Sequence, residues 1–276
     1  MKRNFYAIVL SSFLVAVADA EERPLWEIGL GPALLYFSDY RGADEGRSYL
    51  YPFPYVIYRG DFLRADREGV RGVFFENSRV ELDLSVSGTI PLDSEKNTAR
   101  AGMPDLNPTV DFGPSITVTL ARNPTQDWIL DLRLPVRAAV ASDFSHAQSI
   151  GWITYPHINL ELHPIFLGGE WDLGLQTGVM FASSKYHQYF YGVDSQFVTT
   201  ERPAYSATGG YSGAVALASL TRRFGRFWIG GFMRYDYLDS VVFDDSPLMR
   251  RNQSFGAGIA VAWVFAQSDR MVEMND

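Results

Sequence analysis

The strongest constraint on this chain is a two-residue rhythm of apolar and polar side chains. It is held over segments of about 10–13 residues, roughly the 9–11 that a tilted strand needs to cross a bilayer and longer than the usual 5–6 of soluble sheets. Val80, Leu82, Leu84 and Val86 interleave with Arg79, Glu81, Asp83, Ser85 and Ser87. Alternate residues of a strand face opposite ways, so this pattern builds one apolar and one charged face. The same alternation runs through Trp128–Arg137, Trp152–Leu162 and Trp171–Phe181. It recurs at the end of the chain, where Phe255, Ala257, Ile259, Val261, Trp263 and Phe265 are separated mostly by Gly and Ala.

Period two alone also fits a soluble sandwich. Segment length, aromatic residues at segment ends (Trp26, Tyr36, Phe227, Tyr237) and a charged or glycine-rich opposite face argue instead for interfacial girdles around a polar lumen. After Glu21 no run approaches 18 apolar residues, which excludes a helical membrane protein. Forty aromatics at a mean hydropathy of −0.07 are what two opposed faces average to. The expected fold is therefore all-β, a transmembrane antiparallel up-and-down β-barrel.

Connection lengths order the strands. Long connections are expected near Ser38–Ser48, Pro91–Asn107, Ala141–Ser149, Ser183–Thr208 and Ser240–Asn252, facing outward, with short periplasmic turns near Arg122–Gln126, His163–Gly169 and Thr221–Arg226. Keeping parity requires Asp61–Glu76 to form two short strands turning near Gly69. That makes about twelve strands, or about ten if this stretch does not span.

Lys2 and Arg3, the apolar Phe5–Val17 and Ala18-Asp19-Ala20 read as a signal peptide over residues 1–20. Residues 21–276 then form a single barrel domain, with 266–276 as a periplasmic tail. Losing Lys2, Arg3 and Asp19 moves the formal charge from −8 to −9, which does not suit a nucleic-acid binder. With no cysteine, disulfides, thiolate metal sites, cysteine nucleophiles and a lipid-bearing cysteine are all excluded.

No catalytic constellation stands out. His146, His157, His163 and His187 lack metal-ligand spacing. His157 shares a strand face with Glu161 and is expected to form a lumenal hydrogen-bonded pair with it. His146 and Ser149 lie in a loop without the context of an outer-membrane phospholipase. Asp244-Asp245 reads as a solvated acidic loop rather than half a protease site or a cation site. Asp39, Asp44 and Glu45 have Arg41 and Arg47 at hand to neutralise them. The lumenal set Arg79, Glu81, Asp83, Asp131, Arg133, Arg137, His157, Glu161, Arg234 and Asp236 mixes both signs, and is expected to plug a narrow barrel as a charge network. No catalytic, cofactor-binding or metal-ligating residue is assigned, no cofactor is expected, and the chain reads as a non-enzyme.

Ser38-Asp39-Tyr40-Arg41-Gly42-Ala43-Asp44-Glu45, Tyr51-Pro52-Phe53-Pro54-Tyr55, the stretch Tyr58–Gly69 and Val80–Ser85 carry a resemblance. So do Tyr189-Phe190-Tyr191-Gly192-Val193, Arg202-Pro203-Ala204-Tyr205 and Gly209-Gly210-Tyr211-Ser212. In these runs the chain resembles the MipA/OmpV family of outer-membrane proteins. The resemblance implies a barrel in the outer-membrane lipid that acts as a scaffold, linking the lytic transglycosylase MltA to a penicillin-binding murein synthase in peptidoglycan synthesis and turnover. Other members look like porin-like proteins or adhesins. Pro52 and Pro54 remove ladder donors and suit a rim or bulged strand. Arg64, Asp66, Arg67 and Glu68 are candidates for a lumenal or periplasm-side ion network.

Overall fold

The computed structural model describes residues 22–273 apart from 67–68, 126, 144 and 167–168. The expected signal peptide lies outside the described residues. Twelve antiparallel strands follow one another around a closed barrel. They are β1 (Trp26–Ser38), β2 (Gly46–Arg59), β3 (Leu63–Asp66), β4 (Gly69–Glu76), β5 (Val80–Thr89) and β6 (Thr109–Arg122). Then come β7 (Trp128–Ser142), β8 (Ala147–Thr154 and His157–Leu162), β9 (Asp172–Ala182), β10 (Gly210–Phe224), β11 (Phe227–Tyr237) and β12 (Gln253–Gln267). Pairing of β12 with β1, Ala260 opposite Ala33 and Trp263 opposite Leu30, closes the ring.

The two halves of β8 belong to one ladder. Thr154 pairs with Val136 and His157 with Arg133, a single register across β7, and Tyr155-Pro156 interrupts it where proline has no N–H to donate. The alternation predicted from sequence is the alternation of faces. On β6, Thr109, Asp111, Gly113 and Ser115 are buried inside, whereas Val110, Phe112, Pro114 and Ile116 are exposed outside. On β12 the exposed residues Phe255, Ile259, Val261, Trp263 and Phe265 alternate with Gly256, Ala260, Ala262 and Val264. Phe224, Phe227, Trp263 and Phe265 are exposed together at one rim, and Tyr36, Tyr237 and Phe255 toward the other. These are the two girdles.

Connection lengths depart from expectation at two places. β7 runs to Ser142 and β8 resumes at Ala147, so the stretch expected as a long loop is only 143–146. The connection expected to be short at His163–Gly169 extends over 163–171 and contains its own small ladder, Ile165–Phe166 against Gly169–Glu170. In both, the period-two pattern does not mark where pairing stops. The tail is not free either: Met271–Glu273 pairs with Glu22–Pro24 beneath the barrel.

Asp61–Glu76 does turn as two short strands, but β3 is four residues long. It pairs with β2 only at Tyr58 and Arg59, while β4 pairs with β5 from Arg71 to Glu76. The β3–β4 hairpin therefore fills the wall at the periplasmic end and stops partway up.

Candidate functional site

The barrel interior has two unlike halves. Its outer end is filled by loops. Residues 39–45, 90–108, 183–209 and 238–252 fold over and into the barrel, and their apolar side chains join those of the strands beneath in one cluster. Within the third loop, α1 (Ser184–Tyr191) starts at Ser183, whose hydroxyl accepts the Tyr186 N–H as an N-cap. Its face Tyr186, His187, Phe190 and Tyr191 is buried. Phe243 is fully buried, stacked on Tyr191 at 3.8 Å between ring centroids and 4.8 Å from His187.

Polar contacts lock this lid. Tyr40 Oη donates to Leu248 O at 2.7 Å, Tyr191 Oη to Arg41 O at 2.9 Å and Ser246 Oγ to Tyr191 O at 2.8 Å. The Arg100 guanidinium, nearly buried, donates to Phe190 O and Pro104 O, and that of Arg202 to Phe197 O, Ala99 O and Ala101 O. Arginine's five donors in a fixed fork suit this stapling of loop carbonyls. Arg41 reaches down from the first loop to Asp236 on β11 at 2.7 Å, where Arg234 also donates to the same carboxylate at 2.8 Å. Burial raises the hydroxyl pKa of Tyr40 and Tyr191 and lowers that of the His187 imidazole.

The periplasmic half is hollow. A cavity of about 1610 Å³ opens between the strand ends. Ion pairs line its wall: Glu27 holds Arg59 at 2.9 Å and also Arg223, Arg64 meets Glu76 at 2.6 Å and Glu81 at 3.3 Å, and Arg71 meets Asp66 at 2.8 Å and Glu81 at 3.2 Å. Arg133 lies 3.7 Å from Asp131 and 3.5 Å from Glu161. The charged residues were expected to plug the lumen. Arg79, Glu81, Asp131, Arg133 and Glu161 line the cavity instead, while Arg234 and Asp236 join Arg41 beneath the loops that supply the plug. Arg79 and Arg122 line the mouth with no carboxylate in ion-pair range among the described residues.

The other candidates fall as follows. His157 and Glu161 both face inward but do not pair: four residues along a strand separate them by about 13 Å. His157 Nδ1 bonds Tyr155 O at 2.7 Å, and Glu161 accepts from Asn159 at 3.0 Å. His146 and Ser149 are exposed, and the carboxylate near His146 is Asp143. His163 bonds Asp172 at 2.9 Å. Asp244 and Asp245 are exposed in a turn, and among the described residues no group of acidic and histidine side chains could hold a metal. Asp39 is neutralised by Arg47 at 2.8 Å, whereas Arg41 is drawn away to Asp236. Asp44 lies 3.9 Å from Arg250, and Glu45 accepts the Thr98 N–H. Arg64 and Asp66 belong to the lumenal network; Arg67 and Glu68 lie outside the described residues.

One arrangement has no signature in the sequence. His187 Nε2 is 3.1 Å from Ser212 Oγ, while Nδ1 bonds Thr208 O at 2.7 Å. This is the reach of a base and a nucleophile, but both side chains are sealed within the lid, and a carbonyl stands where a triad would have an acid. It ties α1 to the start of β10.

The family model described as MltA-interacting protein MipA matches residues 30–265. Outer membrane protein Omp26La of Vibrio anguillarum is 27% identical over 214 residues, covering 75% of this chain and 76% of that protein. Outer membrane protein OmpV of Vibrio cholerae is 28% identical over 161 residues, 56% of this chain and 55% of that protein. Among solved structures, the NanC porin matches 85% of this chain and 98% of that one, at 10% identity and a TM-score of 0.39.

Proposed function

The chain belongs to the MipA family of outer-membrane proteins, and from that premise we propose that it is a non-enzymatic scaffold, plugged toward the outside and presenting a docking face to the periplasm. The partners proposed are a lytic transglycosylase of the MltA kind, which the family description names, and a penicillin-binding murein synthase. The observation that carries this reading is the asymmetry of the barrel. Loops from four connections fill the outer end, while the inner end offers a charged cavity whose mouth carries Arg79 and Arg122 without ion-pair partners among the described residues. A pore would need both ends open; a docking platform needs only the inner one.

The test uses the full mature barrel in detergent, immobilised and exposed to the solubilised envelope of its own cell. Co-elution of a lytic transglycosylase and a murein synthase is expected, weakened when Arg79 and Arg122 are both changed to Glu. Capture of neither enzyme removes the scaffold reading. The width of the periplasmic cavity favours a second reading, a channel gated by the lid. Planar-bilayer conductance separates the two.

A further inference from the structure

The periplasmic cavity has two unlike walls. Its volume of about 1610 Å³ exceeds the roughly 300–1,000 Å³ of an ordinary small-molecule pocket, so it has room for several linked rings. One wall is aromatic. Trp228 of β11 pairs with Ala262 of β12, Phe53 of β2 pairs with Gly31 of β1, and the β12–β1 register brings Ala262 level with Gly31. With so little bulk between them, the rings at the two ends of this row stack at 5.3 Å, and Tyr55 lies 5.6 Å from Trp228. Tyr55, Ile57 and Trp228 line the cavity, and among the described residues Trp228 is the one tryptophan to do so.

β5 stands six strands from β11 in the ring of twelve, so its wall is the opposite one. There the lining is rich in donors. The carbonyl of Arg79, just ahead of β5, accepts the Thr119 N–H of β6 at 2.8 Å. By strict alternation Arg122, three residues beyond Thr119, would face the lipid. A β-bulge between Thr119 and Ala121 inserts one residue, so Arg122 falls opposite Ile129 and turns into the cavity on the same wall as Arg79. Thr117 and Thr119 line the cavity beside them. Glu81 and Asp131, the nearest carboxylates in the ladder, are held by Arg64, Arg71 and Arg133. Neither Arg79 nor Arg122 has a carboxylate in ion-pair range among the described residues, Asp61 at the turn after β2 included.

Two guanidiniums on neighbouring strands can grip one carboxylate or phosphate through paired N–H donors. Elsewhere the lining consists of arginine–carboxylate pairs such as Arg133 and Glu161 at 3.5 Å, which offer donors and acceptors side by side. Hydroxyl groups, each both donor and acceptor, match such a lining. An aromatic wall in turn suits the apolar C–H face of a pyranose. Because the loops fill the outer end, a ligand enters from the periplasm. We propose that the cavity is a binding site for an acidic oligosaccharide. Its carboxylate or phosphate sits between Arg79 and Arg122, its hydroxyls bridge the wall pairs, and one sugar ring lies on Trp228. The site shares only the two arginines with the docking face, and binding does not require that face to be occupied.

The test is calorimetric titration of the purified barrel, in neutral detergent, with hyaluronan tetrasaccharide. Chitotetraose serves as the neutral saccharide of equal length and tetraglutamate as an acidic peptide. Wild type is expected to bind the acidic saccharide saturably and at least about tenfold more tightly than either control, the scale of one charge-assisted contact. Arg79→Gln combined with Arg122→Gln should cost about tenfold or more in affinity, by the same reasoning. Trp228→Ala should also weaken binding, Trp228→Phe should restore part of it, and Arg226→Gln, in the exposed turn before β11, should change nothing. Heat-modifiable gel migration verifies that each variant is folded. Tetraglutamate bound as tightly as the saccharide would mark a plain polyanion site, and the saccharide assignment would be wrong. No binding of hyaluronan tetrasaccharide, equal binding of chitotetraose, or unchanged affinity in the folded double-arginine or Trp228→Ala variant overturns the proposal. No cell-wall enzyme is present in this titration, so its failure and a failure of docking are separate results.

Discussion

Replacing Phe243 by alanine should open the lid. Phe243 is fully buried, stacked at 3.8 Å on Tyr191 with an interplanar angle of 12°, and packed against His187. Truncating a buried phenylalanine costs about 3–5 kcal/mol through lost transfer energy and the cavity left behind. Its ring partners Tyr191 and His187 both belong to the lid, so that cost is assigned to closure. At about 1.4 kcal/mol per tenfold, the open population should rise by about two to three and a half orders of magnitude. Single-channel recording in a planar bilayer reads this directly. Wild type should be silent or open only rarely, Phe243→Ala should show frequent openings, and Phe243→Leu should lie between them. A wild type that conducts steadily would contradict a sealed outer end. A Phe243→Ala barrel that is folded by gel migration yet silent would show that the lid is not what closes the lumen.

Further outcomes follow from the same contacts. Asp236→Asn leaves Arg41 and Arg234 facing each other without their shared carboxylate, and breaking such a buried pair costs about 3–5 kcal/mol; the temperature of heat-modifiable migration should fall. His187 is held neutral by burial, its pKa below the ordinary value, partly offset by the Thr208 carbonyl. Opening the lid frees it to bind a proton, so as pH falls through about 6.5 closure loses up to about 1.4 kcal/mol per pH unit. Proteolysis of the loops at pH 5 should exceed that at pH 7.5, and His187→Gln should flatten the difference. Changing Pro52 and Pro54 together to Thr restores two N–H donors on the open edge of β2. Cross-linking in detergent should then reveal dimers joined at that edge, and a variant that stays monomeric would argue against the role given to the prolines.

The barrel was legible in the sequence because its cause is local. Each of β5, β6, β7, β11 and β12 must show lipid one face and the lumen the other, and alternation records that residue by residue. Parity demanded a hairpin of two short strands within Asp61–Glu76, although nothing marked the first as only four residues long. The lid was not legible. Tyr40, Tyr186, Tyr191, Phe243 and Leu248 come from loops far apart in the chain, and nothing in their spacing shows that they meet. Tyr40 and Tyr191 fall in runs that carry the family resemblance, Ser38–Glu45 and Tyr189–Val193, but Phe243 and Leu248 lie in none of them. Charge was misread for a related reason. Alternation shows that Arg133 and Glu161 face inward, but whether they fill the lumen or line it depends on how wide the ring is and on what the loops already occupy.

The Tyr40–Leu248 and Arg41–Asp236 contacts have a consequence for the order in which the molecule is made. They join the first loop to the last loop and to β11, 208 and 195 residues apart. Neither can form until β1 has met β12. A chain still threading its strands into the membrane therefore lacks the two locks that hold the first loop in the lid, whatever the contacts among the later loops have already made. The first loop is locked into the lid only once the wall is finished.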